Sequence, residues 1–394
     1  MTGRKAMLSL KETSSQPKVQ RFLDSIARNS VKTRNVYKIG LSYFQTFLSE
    51  VNVDLTLETL LDTLGKNRIN IYEVLDDFVS FITNKTGDIK MSSRSLHVYL
   101  TAVRSYLAYY DIDLVPLKFK RKVKIPKHYR EDEAAIDASD IRKILLSCNN
   151  RRLKPYLLVL ASGGMRAVEA LSVRNIDLDF SSRPTKVHIR KEYAKTGVAR
   201  DIYISEEASG YLKQWLEWKY RHNRQKRIEP ERPAGDLVFS GRDYPGPQVT
   251  PNGIYYKIAS EFHKLLEVVG MDERKEGLQR RRKVTLHSFR RHAKTIISNQ
   301  AGQDFSEWFL GHSKSPYWTL KESARREIYA TKCMNYLTFL DYSALESKGN
   351  TIESKMEEKD EQIDSLTKKQ EQLEALVQSI IDSGQFAPRK DALP

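Results

Sequence analysis

Apolar residues recur at helical spacing through the first third of the chain. Tyr37, Leu41, Phe44 and Leu48 fall on one helix face, as do Leu75, Phe78, Val79 and Ile82, and again Leu96, Leu100, Val103, Leu107 and Tyr110. Glycine and proline are nearly absent from these runs. Residues 19–115 are therefore expected to form a small bundle in which each helix contributes one apolar stripe. The pattern then breaks. Residues 118–130 hold seven Lys or Arg in thirteen positions, show no apolar period and are interrupted by Pro126. They read as a linker. Residues 134–345 are mixed. Ser139 is expected to cap a helix through Leu146, and the run Tyr156–Ala161 ends at Ser162-Gly163-Gly164. Residues 186–190 and 200–204 alternate apolar with polar, as half-buried strands do. With Lys195-Thr196-Gly197 between them, a hairpin is expected. Further helices are expected at about 207–222 and 252–268 and near Ser288, Asp304 and Leu320, with a loop over Gly241–Gly253.

The last segment has its own period. Ile352, Met356, Lys359, Ile363, Leu366, Gln370, Leu373, Val377 and Ile380 alternate in steps of four and three, a heptad seam flanked by Glu and Lys. Two readings stand for this 350–383 helix: coiled-coil self-association, or an amphipathic helix folded onto a catalytic domain.

Composition sharpens the picture. Among 394 residues the net charge is +16. From Glu346 onward, 11 acidic residues face 7 basic ones, so the rest of the chain carries the whole positive excess. A polyanionic partner follows, nucleic acid first. In the linker, Lys118, Lys120, Arg121, Lys122, Lys124 and Lys127 are expected to lie along DNA phosphates, each displacing condensed counterions. The competing reading is a solvated charged linker. No run of about 18 apolar residues exists, and Met1–Lys18 lacks the apolar stretch of a secretory signal. No membrane association and a cytoplasmic, nucleoid-associated location are expected. Cys148 and Cys333 fit no metal spacing and read as free thiols in a reducing compartment.

Phosphodiester chemistry without a metal needs cations on the phosphate oxygens, an activated nucleophile and a proton for the leaving oxygen. Candidates follow one another along 134–345. Gly163-Gly164-Met165-Arg166-Ala167-Val168-Glu169 ends one helix and places an arginine where the next begins, with Glu169 one turn on to hold it. Taken singly, that pair reads as a surface ion pair. Lys195 in the hairpin turn has the reach to meet a leaving oxygen, although a lone turn lysine is usually just solvated. In Thr285-Leu286-His287-Ser288-Phe289-Arg290, His287 and Arg290 share one face of a helix N-terminus, whose free amides favour an oxyanion. His287 as a simple helix cap is the plainer alternative. Metal binding by His287 and His292 is disfavoured by their spacing of five. Leu310-Gly311-His312-Ser313 then places His312 at a helix end.

In this order the four motifs resemble the tyrosine recombinase family, and within it the integrases of archaeal viruses and mobile elements. The resemblance covers about residues 20–345 and leaves the heptad tail aside. It implies a mainly α fold with a small β-sheet (α+β). A flexible N-terminus (1–18) would precede a helical SAM-like core-binding domain (19–115), the basic linker (116–133), a catalytic domain (134–345) and the heptad helix and tail (346–394). The two domains would form a C-shaped clamp on double-stranded DNA, in a synaptic tetramer that the 350–383 helix would help assemble.

The implied roles are specific. Arg166 and Arg290 grip the non-bridging oxygens of the scissile phosphate, and Lys195 protonates the departing 5′ oxygen. His287 assists proton transfer, His312 hydrogen-bonds the phosphate and Glu169 supports Arg166. A tyrosine forms a 3′-phosphotyrosyl link, with no metal, ATP or other cofactor. The sequence departs from the family at that tyrosine, which usually follows the Leu-Gly-His motif by two to three helical turns. Tyr329 is the expected nucleophile, with Tyr317, Tyr336 and Tyr342 as alternatives. The expected function is site-specific recombination that integrates or excises a mobile element. A type IB topoisomerase or a catalytically decayed DNA-binding regulator are the rivals.

Overall fold

The computed structural model describes residues 13, 15–51, 55–66, 69–84, 92–127, 135–221, 232–241, 250–275, 281–312, 315–340, 359, 362–363 and 365–379. The chain divides into two compact units, Met1–Glu133 with Arg274–Arg282, and Ala134–Glu273 with Lys283–Pro394. It is mainly helical with one small antiparallel sheet. Among the described residues no helix is long and apolar enough to cross a membrane.

The first unit is a helical bundle. Its helices are α1 (Pro17–Asn29), α2 (Val31–Val51), α3 (Leu57–Gly65), α4 (Ile71–Asn84), α5 (Ser93–Tyr109) and α6 (Pro116–Lys122). Side-chain caps start four of them: Ser30 accepts the Thr33 N–H for α2, Thr56 forms a capping box for α3, Asn70 accepts the Tyr72 N–H for α4, and Ser92 caps α5. The apolar stripes meet in a core of Phe22, Leu41, Phe44, Phe78, Leu100 and Tyr106, all at most 1 % exposed. Each such side chain stabilises the bundle by about 1.5–3 kcal/mol. Gly40 lets α2 approach α5 closely, because a Cβ there would lie 3.1 Å from the Tyr99 Cα. The basic segment departs from its expected irregular form. Pro116 sits at the start of α6, where a missing N–H costs nothing. Lys118, Lys120, Arg121 and Lys122 are therefore helical, anchored by the buried Phe119, with Arg104 over its ring. Lys124 and Lys127 follow in extended chain, and residues 128–130 lie outside the described residues.

The second unit is built around α8 (Leu153–Gly163), which follows α7 (Ala138–Ser147). From Tyr156 to Gly163 every α8 residue is buried, so other elements cover it on all sides. The cap of α7 is Asp137, not Ser139. The Asp137 carboxylate accepts the Asp140 N–H and the Ser139 hydroxyl. A carboxylate at that position satisfies a free amide and complements the helix dipole. The short α9 (Ala167–Ser172) leads to the sheet β1 (Leu178–Asp179), β2 (Lys186–Ile189) and β3 (Arg200–Tyr203), in which Val187 faces Ile202 and Ile189 faces Arg200. The hairpin was legible; the two-residue β1 was too short to show a period. Then come α10 (Glu206–Lys219), α11 (Pro251–Val268), α12 (Leu286–Ala301), α13 (Gln303–Phe309) and α14 (Glu322–Ile328). The expected loop to Gly253 ends earlier, because Thr250 caps α11 and Gly253 sits in its first turn. After α14 the chain widens into one π-helical turn, Tyr329–Cys333, and then tightens into a 3₁₀ turn, Met334–Leu337. A last helix, α15, is described at residues 362–363 and 365–379. Residues 1–12 and the seam positions Ile352, Met356 and Ile380 lie outside the described residues.

Candidate active site

The Gly163-Gly164 pair turns the end of α8. Gly164 adopts φ +58°, and its neighbours leave no room for a side chain, with Leu310 3.1 Å and Ala293 3.4 Å from an added Cβ. Arg166 follows at the N-cap of α9. Its N–H donates to Glu169 Oε2 at 3.0 Å, and its Nη1 donates to Glu169 Oε1 at 2.7 Å. The Arg–Glu pair is therefore no surface pair, since the Glu169 side chain is 1 % exposed.

Two further guanidinium groups converge on that carboxylate. Arg200 Nη2 donates to Glu169 Oε2 at 2.8 Å, and Arg290 Nη1 lies 3.9 Å from it. Arg290 is held mainly by main chain: Nη1 donates to the Gly164 carbonyl at 2.6 Å and Nη2 to the Leu310 carbonyl at 2.9 Å. Arg200 Nε donates to the Phe309 carbonyl at 3.2 Å, while its Nη1 is buried without a hydrogen-bond partner. Three cations thus share one anion. Burial alone would raise the Glu169 carboxyl, but Arg200 and then Arg166 outweigh it and hold it below the usual carboxylate range. Burial, and then the neighbouring Arg166 charge, push Arg290 down to about 10, so it stays protonated at neutral pH. His287, one turn before Arg290 on α12, is driven below its ordinary value by desolvation and by the charges of Arg290 and Arg166. It is therefore a neutral imidazole near pH 7, able to accept a proton.

The Leu310-Gly311-His312 segment closes over this cluster. Gly311 adopts φ +80°, and an added Cβ would lie 2.6 Å from Arg200 Nη1. The hairpin turn is tied to the same segment, because Thr196 Oγ1 donates to the Gly311 carbonyl at 3.2 Å. Lys195, next to that anchor, is exposed. His312 Nδ1 is hydrogen-bonded to the Glu307 carboxylate, which Lys294 also holds at 2.8 Å. Glu307 is kept ionised below its usual range, first by Lys294 and then by His312. With Nδ1 bonded to a carboxylate, His312 keeps Nε2 for another partner. Trp318 Nε1 fixes the His312 carbonyl at 3.0 Å.

Arg166, Arg290 and His287 are brought together, and the Lys195 turn is bonded to the segment that carries His312. The expected nucleophile does not join them. Tyr329 has 0 % exposure, stacks on Phe309 at 5.3 Å and 4°, and donates its hydroxyl to the Ser162 carbonyl at 3.1 Å. Burial drives its phenol well above the ordinary value. In this conformation it is a core side chain, and the polar stretch before it does not free it. Tyr317 is partly buried, edge-on to Phe305 at 5.3 Å, in the 3₁₀ turn Pro316–Trp318 directly after the His312 segment. Tyr336 is 48 % exposed in the 3₁₀ turn, and Tyr342 lies outside the described residues. His292 is also absent from the cluster: it is buried, with Nδ1 against the Ile136 carbonyl.

Sequence reasoning missed Arg200, Glu307 and Lys294. Arg200 had a usable signal, since it falls in phase with Ile202 and Ile204 on the buried side of a strand, where an arginine demands an anion. Glu307 and Lys294 gave none, because they meet only when α12 and α13 fold together.

Residues 134–317 match the family model described as the phage integrase family. Two relatives are described as tyrosine recombinase XerA. The one from Saccharolobus solfataricus is 27% identical over 168 residues, covering 40% of this chain and 54% of the relative. The one from Pyrococcus horikoshii is 28% identical over 181 residues, covering 43% and 60%. The chain thus spans little more than half the length of these relatives. Among solved structures, a XerH site-specific recombinase bound to its difH substrate aligns over 88% of this chain and 93% of that chain, at 17% identity and a TM-score of 0.49. Residues 134–317 thus form a domain that matches the phage integrase family, that of the tyrosine recombinases.

Proposed function

We propose that this protein breaks and rejoins double-stranded DNA at specific sites through a 3′-phosphotyrosyl link, integrating or excising a mobile element. One observation carries the reading. Glu169 neutralises only one of the three guanidinium charges that surround it, so two positive charges remain unbalanced beside a neutral His287. Such a pre-set excess of cationic donors is what a phosphorane-like transition state demands. In this reading Arg166 and Arg290 hold the non-bridging oxygens, Lys195 delivers a proton to the 5′ oxygen, His287 relays the nucleophile's proton and His312 Nε2 donates to the phosphate. The basic residues Lys118, Lys120, Arg121, Lys122, Lys124 and Lys127 track the DNA backbone, and a synaptic tetramer performs the exchange.

With Tyr329 sealed in the core, Tyr317 is the better-supported nucleophile. Its neighbour Trp318 is bonded to the main chain of His312, and its ring reaches solvent in part. The test is covalent capture on nicked DNA carrying the target site. Tyr317→Phe is expected to abolish the protein–DNA adduct, while Tyr329→Phe retains it. The reverse result would return the role to Tyr329, which would then have to leave its stack on Phe309 to react. The rival reading, a regulator that binds DNA without cutting, draws on the same buried hydroxyl. It is selected if the parent protein binds the site yet yields no adduct.

A further inference from the structure

The described residues of α15 are exposed throughout, and the catalytic reading makes no use of them. Ile363 is 58%, Leu366 64%, Leu373 61%, Leu376 57% and Val377 54% exposed. Five large apolar side chains along one short helix are a surface built to be covered.

The identity of the cover is written in the heptad. Ile363, Gln370 and Val377 occupy a positions, and Leu366 and Leu373 occupy d positions. β-branched residues at a with leucine at d select two parallel strands, because each side-chain shape suits the packing angle at its layer. Gln370 is the single polar a residue. Paired with its own copy it finds an amide partner; slipped by one heptad it would meet Ile363 or Val377, so it fixes register and strand number. The flanks agree. In a parallel pair a g residue faces the e residue five positions on in the partner, which sets Lys369 opposite Glu374 on both sides of the seam. An antiparallel pair matches g with g and e with e and forms neither ion pair. Leu376, at g beside Val377, widens the apolar strip.

We infer that α15 forms a parallel, in-register two-stranded coiled coil with α15 of a second copy of this chain, with Gln370 facing Gln370 and Lys369 paired with Glu374. The pairing needs no DNA and is independent of the recombination chemistry. It holds two catalytic domains as a preformed pair.

The full-length protein without DNA tests it. Light scattering is expected to give twice the 45.6 kDa chain mass, and Leu366→Glu/Leu373→Glu to give a monomer with unchanged helical content in the folded units. A monomeric or trimeric parent, or a double variant that stays dimeric, overturns the inference. Orientation is read by disulfide capture. Cys148 and Cys333 are buried, so Ile363→Cys and Val377→Cys each supply one exposed thiol. Both variants are expected to form covalent dimers, because a residue at these heptad positions faces its own copy only in the parallel register. If neither variant cross-links, the parallel register is wrong. Lys369→Glu is expected to raise the dimer dissociation constant about ten-fold, and adding Glu374→Lys to restore it. An unchanged constant in Lys369→Glu refutes the charge pairing.

Discussion

Glu169 is the residue on which the site's electrostatics turn. Its carboxylate is the anion that Arg166, Arg200 and Arg290 share, and the Arg200 and Arg290 side chains are only 1% and 7% exposed. Taking away one partner of a buried ionic network leaves the others desolvated and unpaired, which typically costs about 3–5 kcal/mol. Glu169→Gln is therefore expected to lower unfolding stability by roughly that amount in urea titration and to abolish the DNA adduct. A variant as stable as the parent would show that solvent, and not Glu169, compensates these charges. The same residue shows how little a local pattern reveals. Spacing alone makes Arg166 and Glu169 an ordinary pair on a helix surface; folding buries the carboxylate and adds two arginines from β3 and α12.

At the scale of elements, the site depends on where helices stop. The turn after α8 exposes the Gly164 carbonyl to Arg290, and the turn after α13 exposes the Phe309 and Leu310 carbonyls to Arg200 and Arg290. Carbonyls at helix C-termini are free to accept and carry partial negative charge, so they hold guanidinium groups without a second carboxylate. Gly311 makes the second turn possible. Gly311→Ala is expected to cost about 2 kcal/mol or more, since it combines a left-handed φ with a clash against Arg200. For a unit of this size that is a fall in Tm of roughly 4–8 °C. Gly197→Ala is the matched control: φ is +68° there, but nothing lies within 4 Å of an added Cβ. It carries only the backbone strain and is expected to lower Tm less. Equal falls would mean that the clash with Arg200 adds nothing.

For the whole molecule the governing quantity is charge. The net charge is +16, and with 11 acidic against 7 basic residues in the tail, everything before it carries +20; the basic run at 118–127 concentrates that excess. Neutralising Lys120, Arg121 and Lys124 together is expected to weaken binding to specific and random duplexes alike. The slope of log K against log salt should become shallower by about 0.9 for each phosphate that is no longer neutralised. A variant that binds only the specific site more weakly would give these residues a part in reading bases.

Composition, period and motif order determined much from the sequence alone: the mainly helical class, the hairpin, the positive excess, and the order of the motifs that carry Arg166, Glu169, His287, Arg290 and His312. These are local or summed properties, fixed by spacing along a helix or strand and by total charge. Only the tertiary structure decided which anion those cations share, that Glu307 and Lys294 orient His312, and that Tyr329 belongs to the core. The first and the last of these depend on residues far apart in sequence, and the second on two helices packing together. Tyr329 and Ser162 are 167 positions apart, and Arg290 and Gly164 are 126 apart. No periodicity encodes such a meeting. The burial that turns a reactive phenol into packing, or an ordinary ion pair into a charged site, arises only when helices close over one another and exclude water.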